Sequence, residues 1–312
     1  MNTTRSVRSP RCNVVARTLV LASLGVALGF STSFAATVTW NGTDGEYTTG
    51  SNWSTSSVPN TNAGDTARIT AGAVTYTAGG DLPIHAGGTL QISGGSWTQA
   101  GGVAWIQMSG GNILVDGGIF NQGTAGNIIR NATSSITVTA GTANLNGNYI
   151  NEVATSGTLS ISGTGTVNIA GEFKPIESFT LSGGALSANL ISFADGPGSV
   201  NVSSGTISLD GSGGNSGFYG GGGGKSLNFT EGSTGSLFFR SYTLTELTSD
   251  GFMTNGTITY AGAIDGAKFN LSETGGGVLV SAISAVPEPS TYAALAGLAI
   301  LAGTVVRRRK HN

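Results

Sequence analysis

His85 and His311 are the whole imidazole supply of this chain, and Cys12 is its single thiol. A Ser-His-Asp arrangement would have to rest on His85, in an Asp-Leu-Pro-Ile-His stretch that reads as a loop. Zinc centres need several His or Cys ligands, which this supply does not provide. Carboxylates are the remaining candidates for acid–base work: Asp116, Glu152, Glu172, Glu177, Asp195, Asp210 and Glu231. They fall one or two to a repeat. Asp116 takes a slot that Ser93, Thr139 and Ser162 fill elsewhere, which is a turn position. Gly224-Lys225-Ser226 closes a glycine run in the manner of a phosphate loop, but Tyr219 stands where that motif needs glycine, and a strand pattern follows where it needs a helix. The expectation is a body with no catalytic residue, no cofactor and no metal.

The elements that would have to position any site are repeats. Thr89-Leu90-Gln91-Ile92-Ser93-Gly94-Gly95 aligns with Asn112-Ile113-Leu114-Val115-Asp116-Gly117-Gly118 at an offset of 23. The same step reaches Ile136 and Leu159, and later pairs begin at Phe179, Val200 and Leu227 after steps of 20, 21 and 27. Each unit alternates apolar and polar residues, turns at Gly-Gly, Ala-Gly or Ser-Gly, and alternates again, as in Val167/Ile169, Ile207/Leu209 and Leu237/Phe239. Period-two alternation marks a strand with one buried face, and a turn glycine permits positive φ. A rung of this length, unable to bury its apolar face alone, predicts an all-β parallel β-helix (β-solenoid) of about seven rungs over residues 86–286. Leu90, Ile113, Ile136 and Leu159 would stack along one inner wall. A β-sandwich of hairpins is the alternative. The loop at 211–224 accounts for the 27-residue step.

Residues 37–85 differ: Trp40, Gly42, Gly45, Tyr47, Asn52-Trp53, Pro59, Asp65, Ala67 and Ile69. This W-x-G … N-W … P … D-x-A-x-I pattern resembles the opening segment of β-helical passenger-type and surface proteins of Gram-negative bacteria. The segment is therefore read as an N-terminal cap over the open first rung, with Trp40 and Trp53 packed inside it instead of offered to a sugar ring.

Residues 37–286 carry six bases against fifteen acids, a balance of −9 that the whole-chain value of −2 conceals. Sparse, acidic charge excludes nucleic acid as a partner, because phosphate binding needs clustered Lys and Arg. The one cysteine lies in the leader, so neither disulfide nor thiolate chemistry is open to the body. Asn-x-Ser/Thr triplets such as Asn131-Ala132-Thr133 leave glycosylation undetermined.

The cations sit at the ends. Arg5, Arg8, Arg11 and Arg17 precede an apolar run at 19–30, and Ser33-Phe34-Ala35-Ala36 places small residues for cleavage after Ala35; residues 1–36 predict a signal peptide. At the other end, residues 292–306 carry no charge and are stopped by Arg307, Arg308, Arg309 and Lys310. Fifteen helical residues cover roughly 22 Å, short of a ~30 Å hydrocarbon core, and arginine snorkelling with local thinning absorbs the mismatch. The cationic cluster holds the tail in the cytoplasm and leaves the body outside. Pro287-Glu288-Pro289 stands just before this span. Triplet, short apolar helix and arginine tail together resemble the PEP-CTERM sorting signal of Gram-negative bacteria, over about 25 residues. That resemblance implies recognition of Pro287, Glu288 and Pro289 by an exosortase-type membrane enzyme that processes the chain nearby, with 287–312 as the sorting segment. It implies an exported surface or matrix protein, transiently anchored in the inner membrane and associated with exopolysaccharide or biofilm. A polysaccharide lyase or hydrolase on a β-helix is the alternative expectation.

Overall fold

The computed structural model describes residues 35–283, apart from 101–104, 124–127, 131–132, 146–156, 176–178, 194–197, 211–216 and 221–224. The described body is an all-β solenoid whose strands stack in parallel into walls. The first wall begins at Thr37–Thr39, Thr66–Ile69 and Thr89–Ile92. It continues through the leading halves of Asn112–Asn121 and Ser135–Leu145, then Thr158–Ile161. The leading halves of Phe179–Ala188 and Val200–Asp210, then Leu227–Phe229 and Ile258–Tyr260, complete it.

Register along this wall follows the sequence offsets. Leu90 lies opposite Ile113, Ile113 opposite Ile136, and Ile136 opposite Leu159. Ile161 then meets Leu181, Phe179 meets Val200, and Val200 meets Leu227. Parallel pairing between successive coils rules out the sandwich of hairpins, in which neighbouring runs would pair antiparallel with each other. The ladder also extends upstream of the repeats: Ala67 pairs with Leu90, and Val38 with Ala67.

The second wall collects the run after each turn. Val74, Trp97, Phe120, Ala143, Val167, Leu186, Ile207 and Leu237 follow one another in register, every one of them buried. Each side chain of Leu or Ile size withdrawn from water this way contributes about 1.5–3 kcal/mol, so the stack holds only as neighbours supply the other side of the contact. A third wall is built from shorter pieces. Leu82–His85, Ile106–Ser109 and Ile128–Arg130 pair in parallel, as do Glu172–Phe173, Leu190–Ser192 and Phe218–Tyr219. The Asp-Leu-Pro-Ile-His stretch is therefore strand and not loop. Its Leu82 and Ile84 are buried, and the alternation that signals this is only four residues long.

At the corner between the first two walls the strand Ser135–Leu145 bends without breaking, with register shifts between Val138 and Thr142. Gly141 sits at the bend with φ +82°, and a Cβ there would lie 2.2 Å from the carbonyl oxygen of Gly118 in the neighbouring coil. Glycine is required twice at this position, for the left-handed backbone and for the close approach.

Both ends are closed by non-repeating structure. At the start, residues 50–54 cover the outer edge of Thr37–Thr39: the Asn41 amide donates to the Asn52 carbonyl, and the Ser54 amide to the Thr39 carbonyl, each at 2.8–2.9 Å. Trp40 and Trp53 meet edge to face at 5.0 Å, both at most 2% exposed, so neither is available to a ligand. Tyr47 packs on Trp53, Tyr76 on Tyr47, and Trp97 stacks on Phe120 with planes 3° apart. Burial pushes the Tyr47 phenol well above its ordinary pKa. Tyr76 is also raised, first by burial and then by the carboxylates of Asp81 and Glu46.

The far end reverses direction. Gly277–Ala282 runs antiparallel to Ser236–Arg240, pairing Val280 with Leu237 and Val278 with Phe239, and then pairs antiparallel with Phe269–Thr274. A short helix, Leu244–Ser249, is tied to this hairpin by the Leu244 amide, which donates to Glu273 Oε1 at 2.8 Å. Thr243 and Glu246 form a capping box at the helix start, and the amide and hydroxyl of Thr243 hold the Glu246 carboxyl below the usual carboxylate range.

Candidate functional site

Alternation places every second residue of the second wall on its outer side. Thr98, Asn121, Asn144 and Asn168 occupy one such row, in register and half-buried. Their side chains are joined head to tail: Asn168 Nδ2 donates to Asn144 Oδ1 at 2.8 Å, Asn144 Nδ2 to Asn121 Oδ1 at 2.8 Å, and Asn121 Nδ2 to Thr98 Oγ1 at 3.1 Å. Ser187 and Ser208 continue the row beyond Asn168. Each amide carries two N–H groups and each amide oxygen two lone pairs, so one donor and one acceptor per rung remain beyond those the ladder uses. Stacked strands repeat them about every 4.8 Å, which is the scale of a sugar ring. A shorter counterpart lies on the first wall, where Asn228 Nδ2 donates to Asn201 Oδ1 at 3.0 Å and Thr259 Oγ1 donates to Asn228 Oδ1 at 3.1 Å.

Among the described residues, the carboxylates singled out from the sequence have separate surroundings. Asp116 Oδ2 accepts from Gln91 Nε2 at 2.9 Å on the outer side of the first wall. Glu172 pairs with Lys174 at 3.4 Å, Asp210 stands opposite Arg240 in the ladder, and Glu231 lies in an exposed turn. Glu152, Glu177 and Asp195 lie outside the described residues. Among the described residues, no three of His, Cys, Asp and Glu come close enough to share a metal ion.

Of the predicted processing residues, Ala35 and Ala36 open the described body and both are exposed. The Ala36 amide donates to Asp65 Oδ1 at 3.0 Å, and its carbonyl accepts from the Thr66 amide at 2.8 Å. The leader before them lies outside the described residues. So do Pro287, Glu288, Pro289, the apolar span at 292–306, and Arg307, Arg308, Arg309 and Lys310. Among the described residues no helix is long and apolar enough to cross a membrane.

The Asn ladder was missed by the sequence reasoning, although its signal is present: Thr98, Asn121 and Asn144 stand 23 apart, the step that aligned the first runs. Fold and tail together define a repetitive β-solenoid joined to a C-terminal sorting segment. Residues 285–310 match the family of the PEP-CTERM protein-sorting motif. This motif marks the chain as an exosortase-sorted protein of the surface or extracellular space, with a membrane enzyme as its processing partner. No match was found among curated proteins or among solved structures.

Proposed function

We propose that this protein is a noncatalytic structural or adhesive component of the cell surface or extracellular matrix. Its signal peptide directs export, its short C-terminal helix holds it in the inner membrane with the body in the periplasm, and an exosortase-type enzyme then releases it to associate with exopolysaccharide in a biofilm. The PEP-CTERM motif at 285–310 is the observation that carries this proposal. Two further features support it. A repetitive β-solenoid closed at both ends exposes polar walls in place of sheet edges. The ladder of Asn121, Asn144 and Asn168 offers evenly spaced donors and acceptors, a chemistry suited to many weak hydrogen bonds along a neutral or hydroxyl-rich glycan.

Passing the processed protein over immobilised exopolysaccharide tests the polysaccharide part. Retention should exceed that of an unrelated protein of the same net charge. Replacing Asn121, Asn144 and Asn168 together by serine should weaken it at least about tenfold, at roughly 0.5–1.5 kcal/mol per hydrogen bond, while the β signal in circular dichroism persists. Retention no better than the control's would remove polysaccharide from the account. Release of reducing ends or unsaturated sugars would replace adhesion by carbohydrate cleavage.

A further inference from the structure

Asp65 is placed where the chain's own new terminus would be created. Its carboxylate stands just before the strand Thr66–Ile69 and uses both oxygens on backbone N–H groups: Oδ2 accepts from the Asn60 amide at 2.8 Å, and Oδ1 from the Ala36 amide at 3.0 Å. Ala36 is at the same time the residue that leads into the first strand, its carbonyl accepting from the Thr66 amide at 2.8 Å. Thr37, Val38 and Thr39 then pair with Thr66, Ala67 and Arg68. The nitrogen on Asp65 Oδ1 is therefore the nitrogen of the first residue of the mature chain if export removes residues 1–35. Before cleavage it is a neutral amide N–H. After hydrolysis of the Ala35–Ala36 bond, water supplies the hydroxyl of the leader's new carboxyl group and the nitrogen becomes an α-ammonium.

We propose that Asp65 is a receptor site for the α-ammonium released by cleavage after Ala35, so that processing converts a neutral hydrogen bond into an ion pair that fastens the first strand to the body. This rests on the export reading above. A charge-assisted bond is shorter and about twice as strong as its neutral counterpart, and the opposite charge favours the protonated amine. Removal of the leader thereby tightens the coil on which all later coils stack. Both flanking alanines are exposed, which leaves the bond accessible to a peptidase.

The test uses the full chain expressed with its leader in a Gram-negative host and recovered after export. Its first residue is identified by mass spectrometry, and the acylation rate of the α-amine is measured at neutral pH. Pairing with Asp65 lowers the free-base fraction, so the amine should react about tenfold more slowly than in Asp65→Asn, for a displacement of about one pKa unit. Because Asp65 also holds Asn60, a second variant inserts one glycine between Ala35 and Ala36. Processing before the glycine moves the ammonium off the carboxylate and should restore the fast rate with Asp65 intact. Termini created by cleavage after Ala35 whose amines react equally fast in all three proteins overturn the ion pair and leave export standing. A chain that keeps its leader, or starts elsewhere, overturns the processing step and the ion pair with it.

Discussion

Full-length protein retained in the inner membrane is the expected result of replacing Pro287 and Pro289 together by alanine. Proline restricts φ to near −65° and biases the residue before it away from the α region, so a Pro-Glu-Pro sequence disfavours helix. Alanine is about 3 kcal/mol per position better in a helix interior than proline, so the double variant favours helix continuing upstream from the apolar span at 292–306. The processing enzyme would then meet a helix in place of an extended peptide. Recovering the extended form from several kcal/mol below should reduce release at least about tenfold. Cell fractionation with immunoblotting of the body reads this directly. Release at the wild-type rate would show that the triplet is not the recognition element and would leave the prolines only the role of starting the membrane helix.

Gly141→Ala is expected to damage the body far more than Gly232→Ala, although both residues have positive φ. Left-handed backbone costs a residue with a Cβ about 1–2 kcal/mol, and that cost is shared. What differs is space. An added Cβ at Gly232 (φ +70°) meets no atom within 4 Å, whereas at Gly141 (φ +82°) it would lie 2.2 Å from the Gly118 carbonyl oxygen and 2.9 Å from the Gly118 nitrogen. Those atoms belong to the neighbouring coil's corner and cannot yield without opening the ladder between Asn112–Asn121 and Ser135–Leu145. Gly141→Ala should therefore cost at least about 2 kcal/mol beyond the control, a large part of a typical 5–15 kcal/mol stability. Denaturant unfolding of the two exported variants measures the difference. Equal midpoints would mean that the corner is loose and that glycine serves there only for its dihedral angle.

Offsets of 23 fixed the register from Leu90 to Leu159 because parallel coils of equal length put equivalent residues opposite each other. The later register, from Ile161 to Leu181 and from Val200 to Leu227, survives unequal steps because each strand still opens on an apolar pair. Direction was harder. Gly277–Ala282 alternates as the other strands do, yet it runs antiparallel, since a period of two reports which face is buried and nothing about the partner's heading. The pieces of the third wall are hard to place from sequence because strands such as Glu172–Phe173 and Phe218–Tyr219 are two residues long and show no period. Upstream, Ala67 and Ile69 precede Leu90 and Ile92 by the same step of 23 and belong to the first wall, whereas the longer step from Val38 to Ala67 carries the packed Trp40 and Trp53.

The candidate site divides in the same way. Spacing pointed to the carboxylates as scattered, and Asp116, Glu172 and Asp210 have local partners or ladder neighbours of their own. The Asn ladder is within reach of the 23-residue step, but the second run of each repeat declares itself through apolar members such as Val167, Ile207 and Leu237 and not through the polar residues between them. The contact between Ala36 and Asp65 has no such signature: 29 residues separate them, and only the pairing of Thr37 with Thr66 brings them together.

The central claim is that a folded β-solenoid is carried across a bilayer by segments it then sheds. Intact-mass measurement of the protein in each cell fraction tests it most directly. The account predicts a species outside the cytoplasm that begins at Ala36 and lacks Arg307, Arg308, Arg309 and Lys310. A cytosolic chain still running from Met1 to Asn312 would contradict it.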